Sequence, residues 1–99
     1  MRARVTSLRM NPNMTEGGIQ LLQEELVPKL KRQKGFRGFL GLTNTEGKAL
    51  TISLWETEAD MTATESTGWY QAQVVKAAPL LSDEPELEHY EVRIKEDQG

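Results

Sequence analysis

Cysteine is absent from the 99 residues, and histidine occurs once. Without thiols there is no disulfide framework, no thiolate zinc site and no thiol nucleophile, and a single imidazole cannot build a multi-histidine metal site. No metal site is expected. A cysteine-free chain fits a cytoplasmic setting. No apolar run approaches the length of a membrane span. The basic start, Met1 to Arg9, lacks the apolar core of a signal peptide, so no membrane association is expected. Positive charge is also scarce overall: twelve Lys and Arg against fifteen Asp and Glu leave a net charge of −3. That balance argues against a nucleic-acid binder. Aromatic residues are few, two each of Trp, Tyr and Phe, so each is informative.

What is present is enough for one packed domain over residues 1–99. The charge is uneven. Residues 1–50 hold nine Lys and Arg against four Glu, and residues 51–99 hold three against eleven Asp and Glu. The basic excess concentrates in Lys29, Lys31, Arg32, Lys34 and Arg37. Cations near a helix end oppose the partial negative charge of its carbonyls, and the spacing is that of an exposed helix face. The alternative is a patch for an anionic ligand or for the acidic half of a second subunit.

Thr6–Met10 reads as a first strand, extending back towards Arg2, and Asn11-Pro12-Asn13 breaks it. Thr15 is the expected N-cap of a helix in which Ile19, Leu22, Leu26 and Leu30 share one face. Pro28 should kink that helix or begin a new turn, and Gly35 is the expected left-handed residue beyond its end. Phe36–Asn44 and Lys48–Trp55 form a hairpin around Thr45-Glu46-Gly47. Thr57 to Asp60 resembles a capping box opening a helix over Glu58–Glu65. Thr67-Gly68 interrupts it, Trp69–Ala78 resumes, and Pro79 stops. Leu87–Ile94 is the last strand. The order β-α-β-β-α-β predicts an α+β, ferredoxin-like fold with a four-stranded antiparallel sheet.

Both sheet faces carry apolar residues. One includes Leu40, Leu42, Leu50, Ile52, Leu54, Tyr90, Val92 and Ile94. The other is read as Val5, Phe39, Ala49, Trp55 and Leu87, with Ser7, Thr51 and Ser53 among them. The helices of a chain this small cover only one, so a homodimer packed sheet against sheet is expected.

The run Val27-Pro28, then Gly35-Phe36-Arg37-Gly38, Gly47-Lys48-Ala49-Leu50 and Ser53-Leu54-Trp55-Glu56-Thr57-Glu58, resembles the antibiotic biosynthesis monooxygenase-like domains. The resemblance implies a dimeric α+β barrel. It also implies an oxidoreductase activity found in some members, oxidation of quinol or polyketide aromatics by molecular oxygen with no cofactor. Other members degrade haem through a helix histidine, and residues 57–81 contain none. Trp55 matches the family's strand-end tryptophan, which faces a pocket. Ser7, Phe39, Thr51, Ser53 and Trp69 are the expected pocket lining, with room left by the small residues. Tyr70, Arg9 and His89 are the candidate polar partners of a substrate, alongside Trp55 as the ring that orients it. Against each stands a plainer role: Trp55 and Tyr70 as core aromatics, and His89 as a partly exposed strand residue between Glu88 and Glu91. Two functions follow as expectations. One is a cofactor-independent monooxygenase acting on a small aromatic or quinol-type compound. The other is a catalytically silent dimer of the same fold that binds a small ligand or serves a stress role.

Overall fold

The computed structural model describes residues 1–11, 13 and 15–98. Four strands, β1 (Arg2–Arg9), β2 (Phe36–Thr43), β3 (Lys48–Trp55) and β4 (Glu86–Glu91), pair antiparallel in the order β2-β3-β1-β4. The ferredoxin-like α+β fold read from the element order is the observed one. The Pro12 turn expected after β1 lies outside the described residues, and β4 ends three residues before the expected Ile94.

The first helix, α1, covers residues 15–30. It is α-helical at Thr15–Leu21, widens to a π-helix at Leu22–Leu26 and returns to α at Val27–Leu30. Thr15 is thus the first helical residue, one place inside the expected N-cap. Pro28 explains the widening. Inside a regular helix its ring would meet the preceding turn and its missing N–H would cost a bond. Here the Val27 N–H reaches back to the Leu22 carbonyl, and Pro28 falls in the first turn of the returning α segment, where no N–H is required. Gly35 follows at φ +82°. The β2–β3 turn is held by Asn44, whose side-chain oxygen accepts from the N–H groups of Glu46 and Lys48 at 2.9 and 3.0 Å. Helix α2 (Glu58–Ser66) is capped as its sequence predicts, with the Asp60 N–H donating to Thr57 Oγ1 at 3.1 Å. Helix α3 is Trp69–Ala77, followed by a 3₁₀ turn at Ala78–Leu80.

Register fixes the two sheet faces. Arg4 pairs with Ser53, Thr6 with Thr51 and Leu8 with Ala49, and on the far side Phe39 pairs with Ser53. This is the face the helices cover. Its core is Leu30, Trp55 and Met61, all but fully buried, joined by Leu26, Phe36, Phe39 and Trp69. A smaller cluster of Leu8, Met10 and Ala49 packs against Leu22 and Leu81. The other face pairs Val5 with Ile52, Ser7 with Leu50, Leu40 with Ile52 and Leu42 with Leu50. Among the described residues no element covers it. Val5 and Ser7 therefore lie on the open face, opposite to expectation. The error is one residue of register in β1, and with a period of two such a slip inverts every side chain.

Candidate functional site

Between the covered sheet face and helices α1 and α3 lies a cavity of about 80 Å³. That exceeds the room one water needs several-fold. Its α1 wall comes from the π-helical stretch, where Leu22, Glu25 and Leu26 all line it, and its α3 wall from Trp69, Tyr70, Gln73 and Val74. The sheet supplies a floor of Thr6, Phe39, Thr51 and Ser53. Thr51 and Ser53 are short, so the helices rest on the bulkier neighbours and space remains above them.

Arg4 is the principal charged group at this floor. It is 3% exposed. Its Nη1 donates to Thr64 Oγ1 at 2.6 Å, to Glu65 Oε2 at 3.2 Å and to the Met61 carbonyl at 3.4 Å. The guanidinium lies 4.4 Å from the Tyr70 ring centroid and 5.3 Å from that of Trp55, in cation–π range of both. Burial draws its pKa below the ordinary arginine value, and the bond and charge of Glu65 oppose the shift. A cation is retained there because a carboxylate and two ring faces replace its water.

Tyr70 completes the polar wall. Its hydroxyl and that of Thr6 share a hydrogen bond at 2.7 Å. Burial raises its pKa, while the Thr6 bond and the Arg4 charge act in the opposite sense. Tyr70 is a neutral phenol at physiological pH, able to donate or accept at the cavity surface.

The other expected site residues divide. Phe39, Thr51, Ser53 and Trp69 line the cavity together with Tyr70. Trp55 does not. It is completely buried, its indole N–H is spent on Ser53 Oγ at 2.8 Å, and Phe36 stands edge-on to it at 5.7 Å. It is a core residue on the same sheet face, packed beside the floor against Leu30 and Met61. Ser7 and Arg9 share β1's open face, away from the cavity. Arg9 is exposed and lies 3.9 Å from Asp83. His89 pairs with Arg4 across β1 and β4, but its Nε2 meets Glu65 Oε2 at 2.8 Å rather than the cavity. Glu65 thus bridges His89 and Arg4. Sequence reasoning missed Arg4 and Thr6. Pairing β1 against Ala49-Thr51-Ser53-Trp55 in the correct register would have found both. Among the described residues no group of three His, Cys, Asp or Glu side chains could hold a metal ion, and no helix is long and apolar enough to cross a membrane.

No family model and no curated protein matches the chain. Solved structures do. A protein of unknown function from Nitrosomonas europaea superposes with a TM-score of 0.79 at 20% identity, covering 99% of this chain and 94% of its own. The ActVA-Orf6 monooxygenase of Streptomyces coelicolor, solved with nanaomycin D, gives 0.78 at 16% identity over 99% of this chain and 92% of its own. A putative antibiotic biosynthesis monooxygenase from Nitrosomonas europaea gives 0.75 at 14% identity, covering 95% of this chain and all of its own. At these identities the likeness concerns the backbone, and the chain has the fold of the antibiotic biosynthesis monooxygenase-like domains.

Proposed function

We propose that the cavity binds a small phenolic or quinol-type aromatic and that the chain oxidises it with molecular oxygen, without metal or flavin. The observation that carries this reading is an apolar cavity whose wall holds one buried cation, Arg4, beside the paired hydroxyls of Thr6 and Tyr70. A phenol with a free para position contains all the electrons the reaction needs. One oxygen atom replaces the para hydrogen as a new carbonyl, the original hydroxyl becomes the other carbonyl, and the second oxygen atom leaves as water with the two hydrogens. The product is a quinone. The protein's share is to exclude water, hold the ring and stabilise negative charge as the phenol ionises and oxygen accepts electrons. Arg4 supplies positive charge, Tyr70 a hydroxyl beside the substrate oxygen, and Trp69 and Phe39 apolar faces for the ring.

The test is incubation of the protein with a panel of phenols and naphthols, with and without oxygen. Expected are one oxygen molecule consumed per quinone formed, no product under anaerobic conditions, and loss of turnover when Val74→Phe fills the cavity. Wild-type protein giving no oxygen-dependent product across the panel would sink the reading.

A second reading is favoured by one observation. The two groups that would act on a substrate already have partners, Arg4 in Thr64, Glu65 and the Met61 carbonyl, Tyr70 in Thr6. A cavity of that kind can bind without reacting, and such a module would raise its melting temperature with ligand while consuming no oxygen. Either function is compatible with a cytoplasmic homodimer joined through the open sheet face. Leu40, Leu42 and Tyr90 stand there about half exposed, and an apolar sheet face of this extent calls for a partner.

A further inference from the structure

A second and larger recess lies between α1 and the edge strand β2. Its volume is about 580 Å³, within the range of small-molecule sites. One side is α1, where Ile19, Gln23, Val27 and Lys31 recur every four residues and so share a face. The other is the covered face of β2 and β3. Gly41 makes room there, because a Cβ on it would meet only Phe39 Cε2, at 3.8 Å. Leu22, Phe39 and Thr51 line both this groove and the inner cavity, so the two are neighbours divided by those side chains.

The groove is long and its ends are unlike. From Ile19 to Lys31 the helix advances about 18 Å. At one end the Met10 side chain packs against Gly18, and the Met10 N–H donates to the Gly47 carbonyl at 3.0 Å. Met10, Ile19 and Leu42 make that end largely apolar. At the other, Lys31 follows the last turn of α1 and Arg37 opens β2, on either side of the Gly35 turn. No carboxylate is among the described residues that line the groove. Arg37 is paired with Glu56 outside it, whereas among the described residues Lys31 takes part in no ion pair. One free ammonium beside an already paired guanidinium balances a single negative charge.

We propose that this groove binds a long-chain carboxylic acid, its acyl chain laid along Ile19, Leu22 and Val27 over Gly41 and its carboxylate at Lys31 and Arg37. A short or purely aromatic acid would leave the apolar end unfilled. A linear chain reaches it, and each buried methylene strengthens binding roughly fourfold. The site is separate from the inner cavity, and it stands or falls apart from the oxidation read there.

The experiment titrates laurate, octanoate and dodecyltrimethylammonium into the protein below their micelle-forming concentrations, with backbone amide NMR shifts as the readout. Laurate should move the Val27, Lys31 and Gly41 amides. Octanoate should bind about tenfold more weakly or worse, and the cation of equal chain length about fivefold more weakly at low salt. Lys31→Gln should remove most of that preference for the anion. Gly41→Val places a strand-forming residue at a position of ordinary backbone, and it should fill the groove and weaken laurate about tenfold while the amide spectrum stays folded. Val74→Phe, which fills the inner cavity instead, should leave laurate affinity unchanged. Absence of laurate binding would overturn the proposal. Equal affinity for laurate and octanoate, or for laurate and the cation, would do the same. So would laurate affinity that survives Gly41→Val but is lost in Val74→Phe, since the chain would then lie in the inner cavity. Shifts of these amides that follow protein concentration rather than laurate would assign the groove to a second copy of the chain and overturn it too.

Discussion

Arg4 and Glu65 depend on each other unequally. Arg4 is enclosed at 3% exposure, whereas the Glu65 side chain is 23% exposed. Removing Glu65 strands a buried cation, while removing Arg4 leaves a carboxylate that reaches water and retains His89. Glu65→Ala should therefore cost about 3 kcal/mol in urea unfolding, the usual penalty for breaking one side of a buried pair. Arg4→Met, which keeps the length and discards the charge, should cost less, and the double variant should fall short of the sum. A Glu65→Ala loss smaller than that of Arg4→Met would refute this asymmetry. Tyr70 sets a pH dependence. Its folded pKa lies above the ordinary value of 10.0 because of burial. Below that value both states hold the proton and stability is unaffected. Above it the unfolded chain releases the proton first, the folded state binds more protons, and stability falls as pH rises. Unfolding free energy should thus decline from about pH 10 upward, and Tyr70→Phe should flatten the decline; an unchanged slope in that variant would contradict it. At this scale the aromatics were legible. Tyr70, Trp69 and Phe39 announce themselves by rarity and position. Arg4 was not, because an arginine in a strand ordinarily faces water, and what buries this one is Met61, Thr64 and Glu65 some sixty positions away in the chain.

Elements are joined at points where the backbone has one acceptable residue. Gly35 links α1 to β2 at φ +82°, and a Cβ there would overlap the Asp60 carboxylate on α2. Its carbonyl also accepts from the Glu56 N–H at 2.7 Å, so the turn cannot shift freely. Gly68, between α2 and α3, has nearly the same φ of +84° but open space around it. The two separate conformational strain from collision. Gly68→Ala should cost about 1 kcal/mol, the left-handed penalty alone, and Gly35→Ala about 2–4 kcal/mol, strain plus overlap. Equal losses in chemical denaturation would show that the Asp60 contact is inconsequential. These joints, the Thr57 cap and the hairpin turn were legible because their chemistry is local. The π-helical stretch was only half legible. Pro28 announces a disturbance in α1, but whether the chain kinks, breaks or widens depends on what the turn before it packs against. The β1 register was not legible at all. Arg4-Thr6-Leu8 and Val5-Ser7-Arg9 alternate equally well, and only the partner strands decide between them.

The molecule as a whole has more surface than its size requires. A compact monomer of 11.2 kDa should expose about 5,700 Å², whereas this chain exposes 6676 Å². The excess is about the area one partner contributes to an interface of standard size. That the sheet has two apolar faces was legible in the strand patterns. Which face the helices take was not. They settle on the side of Ala49, Thr51 and Ser53, where short side chains allow close approach, and leave the leucines and Ile52 uncovered. Leu40 lies on that open face opposite Ile52, 54% exposed, while Val75 lies on α3 at 62%. A charge at Leu40 would be harmless to an isolated chain and ruinous to a sheet-to-sheet contact, since it would be buried there without a partner. A charge at Val75 would be tolerated in both. Sedimentation of the wild type at micromolar concentration should give about twice 11.2 kDa. Leu40→Glu should give the single-chain mass with its circular dichroism intact, and Val75→Glu should retain the double mass. A wild type that sediments as one chain would mean the surplus surface is simply wetted. A Leu40→Glu protein that stays double would mean the chains associate through another face, with the exposed leucines no part of the reason.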